Sequence, residues 1–249
     1  VFDAKMAQEF SATVLADEGK ASPQAMDRSL SGLLFKLNAD VRRDILSDII
    51  EKHLTGKARK TEASRLLLCA PFGSETWSYV DRLSTEEKQK YWMDASPGRF
   101  FGESAEHVSR VVDELLKVER PRAAFRIVHM ELPKIDSDRL VRLLIESATN
   151  PSEPKGHYRL ADYEISDAFE ELTKRNDVLP DELARLEFLY IEALDHTEHG
   201  IPNLEKQLSQ SPELFVQLLA FTYKRNDKSQ DPPELRSNNT DNAQALATA

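Results

Sequence analysis

The segment Asp195-His196-Thr197-Glu198-His199 has the residue types and the spacing of a metal site. On a helix, histidines three residues apart lie on one face and can share a metal ion, and Glu198 could assist. However, Gly200-Ile201-Pro202 follows at once and indicates the end of a helix, where the helix dipole favours a histidine cation. No further pair of His or Cys supplies the missing ligands. We therefore expect His196 and His199 to be exposed, with no metal and no cofactor; a small helical metal-dependent enzyme around them is the alternative.

Other residues that could be reactive favour structural interpretations. Cys69 stands alone in an apolar run, which predicts a packed thiol, and His129 is expected to be a hydrogen-bonded structural or surface residue. The chain has no Gly-rich phosphate loop with Lys-Ser or Lys-Thr, no nucleophile elbow, and no pair of acid and base that spacing alone could nominate. We predict no catalytic residues here and expect any catalysis to belong to other domains of a longer protein.

The densest basic region runs from Arg42-Arg43 to Lys57-Ala58-Arg59-Lys60. Nucleic-acid affinity comes mainly from cations that neutralise phosphates, whereas 33 basic and 43 acidic residues give this chain a formal charge of −10. This balance argues against a general affinity for nucleic acid, and a solvated face is the simpler interpretation. A helical nucleic-acid-binding module that uses Arg42 to Lys60 is the alternative.

A loop with two adjacent phenylalanines lies at residues 96–102, directly after a helix that ends with Tyr91-Trp92. Apolar bulk between turn residues is unusual, and we expect one or both rings to fill a gap between helices. Partner binding at this corner is the other interpretation. The candidate partner-binding residues are Trp92, Arg99, Phe100 and Phe101.

The two tryptophans differ in their surroundings. Trp77 is in step with Val80 and Leu83, so we expect it in the core. Trp92 follows a polar stretch, and it is expected either to be wedged between neighbouring helices or to reach the surface near the loop. We favour the wedged arrangement.

Amphipathic helices follow one another along most of the chain. Apolar residues recur at spacings of three and four, and side chains that can cap a helix precede several of these stretches. The residues expected to cap helices are Asn38, Ser84, Ser137 and Ser211. We predict an all-α fold of about a dozen helices, either an irregular helical-repeat solenoid or a multi-helix bundle, because no fixed repeat period is present.

Two changes in composition divide the chain. Asn150 to Gly156 holds two prolines and a glycine, so we predict an N-terminal helical array over 1–150 and a C-terminal helical subunit over 151–225 packed on it. Residues 226–249 are polar and poor in aromatics, which predicts a disordered tail. Because the chain starts at Val1, we expect it to be the C-terminal piece of a longer protein.

The composition also predicts a location. The longest apolar stretch, Leu66 to Ala70, is far shorter than the roughly 20 residues that a membrane span needs. A single cysteine cannot form an intrachain disulfide, so nothing suggests an oxidising compartment. We expect a soluble cytoplasmic protein with no membrane partner.

Three parts of the chain resemble segments of known proteins. They are Ser74-Glu75-Thr76-Trp77-Ser78-Tyr79-Val80 with Tyr91-Trp92, Glu119-Arg120-Pro121-Arg122-Ala123-Ala124-Phe125, and Ser211-Pro212-Glu213-Leu214-Phe215-Val216 with Tyr223. They resemble the helical-repeat (tetratricopeptide-like or HEAT-like) C-terminal regions of large, mostly uncharacterised bacterial proteins. Some of those proteins are similar to signal-transducing NTPases, in which a nucleotide-binding core precedes a helical sensor. The resemblance implies a sensor or a part that holds an assembly together.

The helices and the resemblance together predict a non-enzymatic module that mediates protein contacts or senses a protein ligand. Stacked helix pairs give an extended surface, on which exposed aromatic and arginine side chains supply binding energy. The expected partner is another protein or another domain of the same polypeptide.

Overall fold

A computed structural model describes residues 6, 9, 23–54, 63–96, 102–150, 160–195, 197–213, 215–216 and 219 of this chain. These residues form twelve α-helices and one 3-10 helix and contain no strand, which confirms the all-α prediction. The chain divides into two compact units, Val1–Glu103 and Ser104–Ala249, called here the first and the second unit. The predicted helix near residues 3–16 lies almost wholly outside the described residues.

The first unit contains five described helices. They are α1 (Pro23–Lys36), α2 (Ala39–Leu54), α3 (Ala63–Leu68), α4 (Ser74–Val80) and α5 (Thr85–Asp94). Two predicted caps are confirmed: the Asn38 side-chain oxygen accepts from the Val41 amide at 2.9 Å, and the Ser84 hydroxyl accepts from the Glu87 amide at 3.3 Å. Helix α3 packs against α2, α4 and α5, so the core of this unit surrounds α3.

The second unit contains seven described α-helices and the 3-10 helix. They are α6 (Ala105–Lys117), α7 (Pro121–Val128), the 3-10 helix (His129–Lys134), α8 (Ser137–Thr149), α9 (Asp162–Arg175), α10 (Pro180–Leu189), α11 (Ile191–Leu194) and α12 (Pro202–Leu208). Ser104 caps α6, because its hydroxyl accepts from the His107 amide at 3.2 Å. Consecutive helices α6, α7 and α8 pack on one another, and α12 packs on α10.

The division into units differs from the predicted boundary near residue 150. Helix α8 precedes the 151–159 segment, yet it packs against α9 and α10, which follow that segment. Both sides of the segment therefore belong to the second unit, and the structural division falls between Glu103 and Ser104. A proline-rich loop shows that one helix has ended, but it does not show that the helices on either side of it stop packing against each other. The predicted tail, 226–249, lies outside the described residues.

One predicted cap is wrong. Asp136, rather than Ser137, caps α8, because its carboxylate accepts from the Arg139 amide at 2.9 Å. The Ser137 hydroxyl instead donates to Asp177 at 2.7 Å, beyond the end of α9. Either side chain can cap a helix, and the tertiary contact with Asp177 decides between them.

Candidate functional site

Four aromatic side chains pack together in the first unit. The ring centroids of Phe72 and Trp77 lie 5.1 Å apart, those of Trp77 and Trp92 lie 5.8 Å apart, and those of Tyr91 and Trp92 lie 5.3 Å apart. Trp77 is 0% exposed and Trp92 is 2% exposed. The core position of Trp77 and the wedged arrangement of Trp92 are thus confirmed. The Phe72–Trp77 and Tyr91–Trp92 contacts are edge-to-face, whereas the Trp77 and Trp92 rings are tilted by 43°. Aromatic pairs add stability beyond the apolar area that they bury.

An apolar groove with a volume of about 400 Å³ opens beside this cluster. It is lined by Phe35, Leu68, Ala70, Pro71, Phe72, Tyr91, Ala95 and Ser96. Phe72 and Tyr91 belong both to the aromatic cluster and to the lining, whereas Phe35 at the end of α1 is 64% exposed. The groove therefore combines a rigid aromatic base with one ring that solvent still reaches.

Hydrogen bonds hold the turn that carries Phe72. The Thr76 hydroxyl donates to the Pro71 carbonyl at 2.7 Å. The Glu103 carboxylate accepts from the Ser74 amide at 3.0 Å and from the Ser74 hydroxyl at 3.1 Å, at the start of α4. Gly73, the N-cap residue of α4, has no side chain that could accept from the first amides of the helix. The Glu103 carboxylate supplies that acceptor. The turn is thus fixed from both of its ends.

An ion pair ties α1 to α3 beside the groove. The Arg65 guanidinium contacts both Asp27 carboxylate oxygens, at 3.0 and 3.2 Å. Both bonds come from Nη2, so this is a charge-assisted contact from a single nitrogen that links the two helices. This contact therefore helps to set where Phe35 stands relative to the C-terminal end of α3.

The chemistry of the groove suits binding. Its described lining residues carry no charged group, and three of the eight are aromatic. A mostly apolar concave surface of a few hundred Å³ is typical of ligand and anchor-residue sites. It offers apolar contact and ring stacking to a guest.

Of the four predicted partner-binding residues, the structure describes Trp92 alone. Trp92 lies beneath Phe72 and Tyr91, with a Phe72 ring contact at 6.2 Å, and is too buried to meet a partner directly. Arg99, Phe100 and Phe101 lie outside the described residues, so their role stays a prediction. Phe35 was not predicted as a site residue. It lies off the apolar stripe of α1 formed by Leu30, Leu33, Leu34 and Leu37, which is the signal that could have identified it.

The predicted exposure of His199 is wrong. Its side chain is 7% exposed, with Nε2 3.6 Å from the Glu187 carboxylate and the ring centroid 5.5 Å from that of Phe169. His196 lies outside the described residues. Within the described part of the chain, no group of three or more His, Cys, Asp or Glu could hold a metal ion.

His129 and Cys69 are held in structural surroundings. The His129 Nε2 lies 3.3 Å from the Asp167 carboxylate on α9, which confirms the hydrogen-bonded interpretation. Cys69 is buried, and desolvation by that burial raises the pKa of its thiol to about 11, despite a hydrogen bond with Ser31 that lowers it. A thiol that stays protonated at neutral pH is a poor nucleophile.

Arg42 and Arg43, at the start of the predicted basic region, contact helices of the first unit. Arg42 pairs with Glu75 on α4 at 2.7 Å and donates to the Leu37 carbonyl at 3.3 Å. Arg43 lies 3.3 Å from Asp40. Arg42 thus joins α2 to α4, while Lys57 to Lys60 lie outside the described residues. Cations that are engaged in this way have less charge to offer to phosphates.

In the described part of the chain, none of the helices has both the length and the apolarity needed to cross a membrane.

Comparisons of the chain with protein-family models, with curated proteins and with solved structures found no match. The resemblance to helical-repeat regions of bacterial proteins therefore stays a prediction.

Proposed function

We propose that this chain is a non-enzymatic protein-interaction module and that the apolar groove of the first unit receives a side chain of its partner. The observation that carries the proposal is the exposed Phe35 ring at the edge of a groove whose base is already packed. A concave, mostly apolar lining is typical of surfaces that a ligand or an anchor side chain covers.

The energy available at Phe35 is adequate for an anchor contact. A large aromatic side chain buries about 150 to 250 Å² in a core, so covering the 64% of Phe35 that is exposed removes roughly 100 to 160 Å² from water. At about 25 cal/mol per Å² this is worth roughly 2 to 4 kcal/mol. That magnitude is typical of the few residues that dominate a protein interface.

The cellular location and the partner of the module are part of the same proposal. We propose a cytoplasmic protein, in keeping with a single cysteine whose thiol is buried and protonated. The partner is another protein or another domain of a longer bacterial polypeptide, as the resemblance implies. A sensor or scaffold role fits a chain whose exposed aromatic ring stands beside a groove that carries no charged lining residue.

A peptide selection tests the proposal. Random peptides displayed on phage are selected against the purified wild-type chain and then screened against Phe35→Asp and Leu179→Asp. Leu179 is the matched control, because it is 70% exposed in the second unit and does not line the groove. We expect selected peptides to lose binding to Phe35→Asp and to keep binding to Leu179→Asp. Peptides that bind both variants as well as the wild type would contradict a role for the groove.

A further inference from the structure

The lining of the groove favours one kind of guest, and this inference rests on the proposed function. Phe35, Phe72 and Tyr91 reach the groove from three different elements: α1, the turn before α4, and α5. We infer that the groove is an aromatic-anchor site, which takes a single Phe, Tyr or Trp side chain from an exposed segment of the partner.

The volume of the groove sets the size of the guest. An apolar cavity of about 150 Å³ in a protein core holds a benzene molecule. The groove, at about 400 Å³, has room for a one-ring or two-ring side chain together with the atoms that link it to a backbone. The groove can therefore hold one aromatic side chain, and it is too small for a whole helix.

The number of lining residues excludes larger partners at this groove alone. A stable protein interface buries about 800 Å² and 20 to 30 residues on each side. Eight residues line the groove, so neither a second copy of this chain nor a folded domain could dock through it without a much wider contact. A short segment with one anchor side chain needs no such area.

The rings of the lining decide the chemistry of the anchor. Aromatic pairs contribute affinity beyond that of their buried area, equivalent to about a two- to twelvefold change for each pair. A saturated ring of the same shape buries as much apolar area but forms no such pairs. An aromatic-anchor site should therefore bind an aromatic ligand more tightly than the saturated ligand of the same shape.

The test uses two small probes in place of the partner: N-acetylphenylalanine amide and its saturated counterpart, N-acetylcyclohexylalanine amide. Each is titrated into the labelled full chain, and backbone amide shifts in α1, the turn before α4, and the end of α5 are followed by NMR. We expect the aromatic probe to bind at least about twofold more tightly. Equal or tighter binding of the saturated probe, or no saturable shift with either, would overturn the inference.

Variants locate the effect and separate the two proposals. Phe35→Ala should reduce the aromatic preference while leaving the circular dichroism spectrum unchanged, because Phe35 is largely exposed. Leu179→Ala should change neither. A gain in affinity for the aromatic probe in a Phe100→Ala, Phe101→Ala chain would show that the chain's own rings occupy the groove, and would overturn the inference. If the saturated probe binds as well but selected peptides still require Phe35, the aromatic preference fails and the proposed function survives.

Discussion

Substitution of Glu187 tests whether a buried carboxylate on one helix caps the N-terminus of another helix. Glu187 lies on α10 and is fully buried, yet it accepts hydrogen bonds from the Leu204 amide at 2.6 Å and from the Asn203 side chain at 2.7 Å. Both donors lie in the first turn of α12, whose own N-cap residue, Ile201, has no side chain that can accept. Glu187 therefore caps α12 from another helix.

The cost of removing this cap follows from those contacts. A hydrogen bond to a charged group contributes about 1.5 to 3 kcal/mol, and Glu187→Ala loses two of them while leaving the buried Leu204 amide without its acceptor. Part of this loss is offset because a buried charge no longer needs to be desolvated. We expect Glu187→Ala to lower the free energy of unfolding by about 3 to 5 kcal/mol. Glu187→Gln keeps the shape and one oxygen, so we expect about 1 to 3 kcal/mol.

Urea denaturation followed by circular dichroism measures both variants, and hydrogen exchange at the Leu204 amide reports on the cap itself. The matched control is Glu192→Gln, an exposed carboxylate on the neighbouring α11, which should change stability by less than about 0.5 kcal/mol. If Glu187→Gln and Glu187→Ala both behave like this control, or if Leu204 exchange is unchanged in Glu187→Ala, the remote cap does not contribute as described.

Three further outcomes are expected. Trp77→Ala should cost roughly 3 to 5 kcal/mol in urea denaturation, because it empties a fully buried site, and a cost below about 1 kcal/mol would refute its core role. Cys69 in the folded chain should react with iodoacetamide at least about a hundredfold more slowly at pH 8 than in urea, since its raised pKa leaves little thiolate; equal rates would contradict this. Burial raises the pKa of Asp136, but hydrogen bonds from Arg139 and its charge outweigh burial and hold that pKa below its usual value. The contribution of Asp136 to the free energy of unfolding is then present above its pKa in the unfolded chain and is lost as pH falls through its lower pKa in the folded chain. The difference in Tm between wild type and Asp136→Ala should therefore shrink in strong acid. A difference that grows there would show the opposite sign.

Local signals in the sequence predicted the helices well. Asn38 and Ser84 each cap the helix that follows, because a cap depends on atoms only two or three residues away. The choice between Asp136 and Ser137 could not be made in this way, since it depends on Asp177 about 40 residues along the chain. Caps are predictable when no tertiary partner competes for them.

The groove and the burial of His199 depend on contacts distant in sequence. Phe35 and Tyr91 are far apart in the chain but line the same groove. Helix α3 packs on α5, and Arg65 of α3 pairs with Asp27 of α1. His199 packs against Phe169, which lies 30 residues earlier in the chain, and the spacing of apolar residues gives no sign of that contact. The position of His199 after the end of a helix therefore indicated an exposed side chain. Tertiary packing therefore decides both the groove and the failure of the predicted exposed histidine.

The most direct test of the groove as the binding site is an NMR titration of the labelled full chain with a peptide selected on it. We expect the largest amide shifts to fall near Phe35, in the turn from Ala70 to Gly73, and at the end of α5, and we expect Phe35→Asp to remove them. Large shifts confined to the second unit, or shifts in the first unit that persist in Phe35→Asp, would contradict the account.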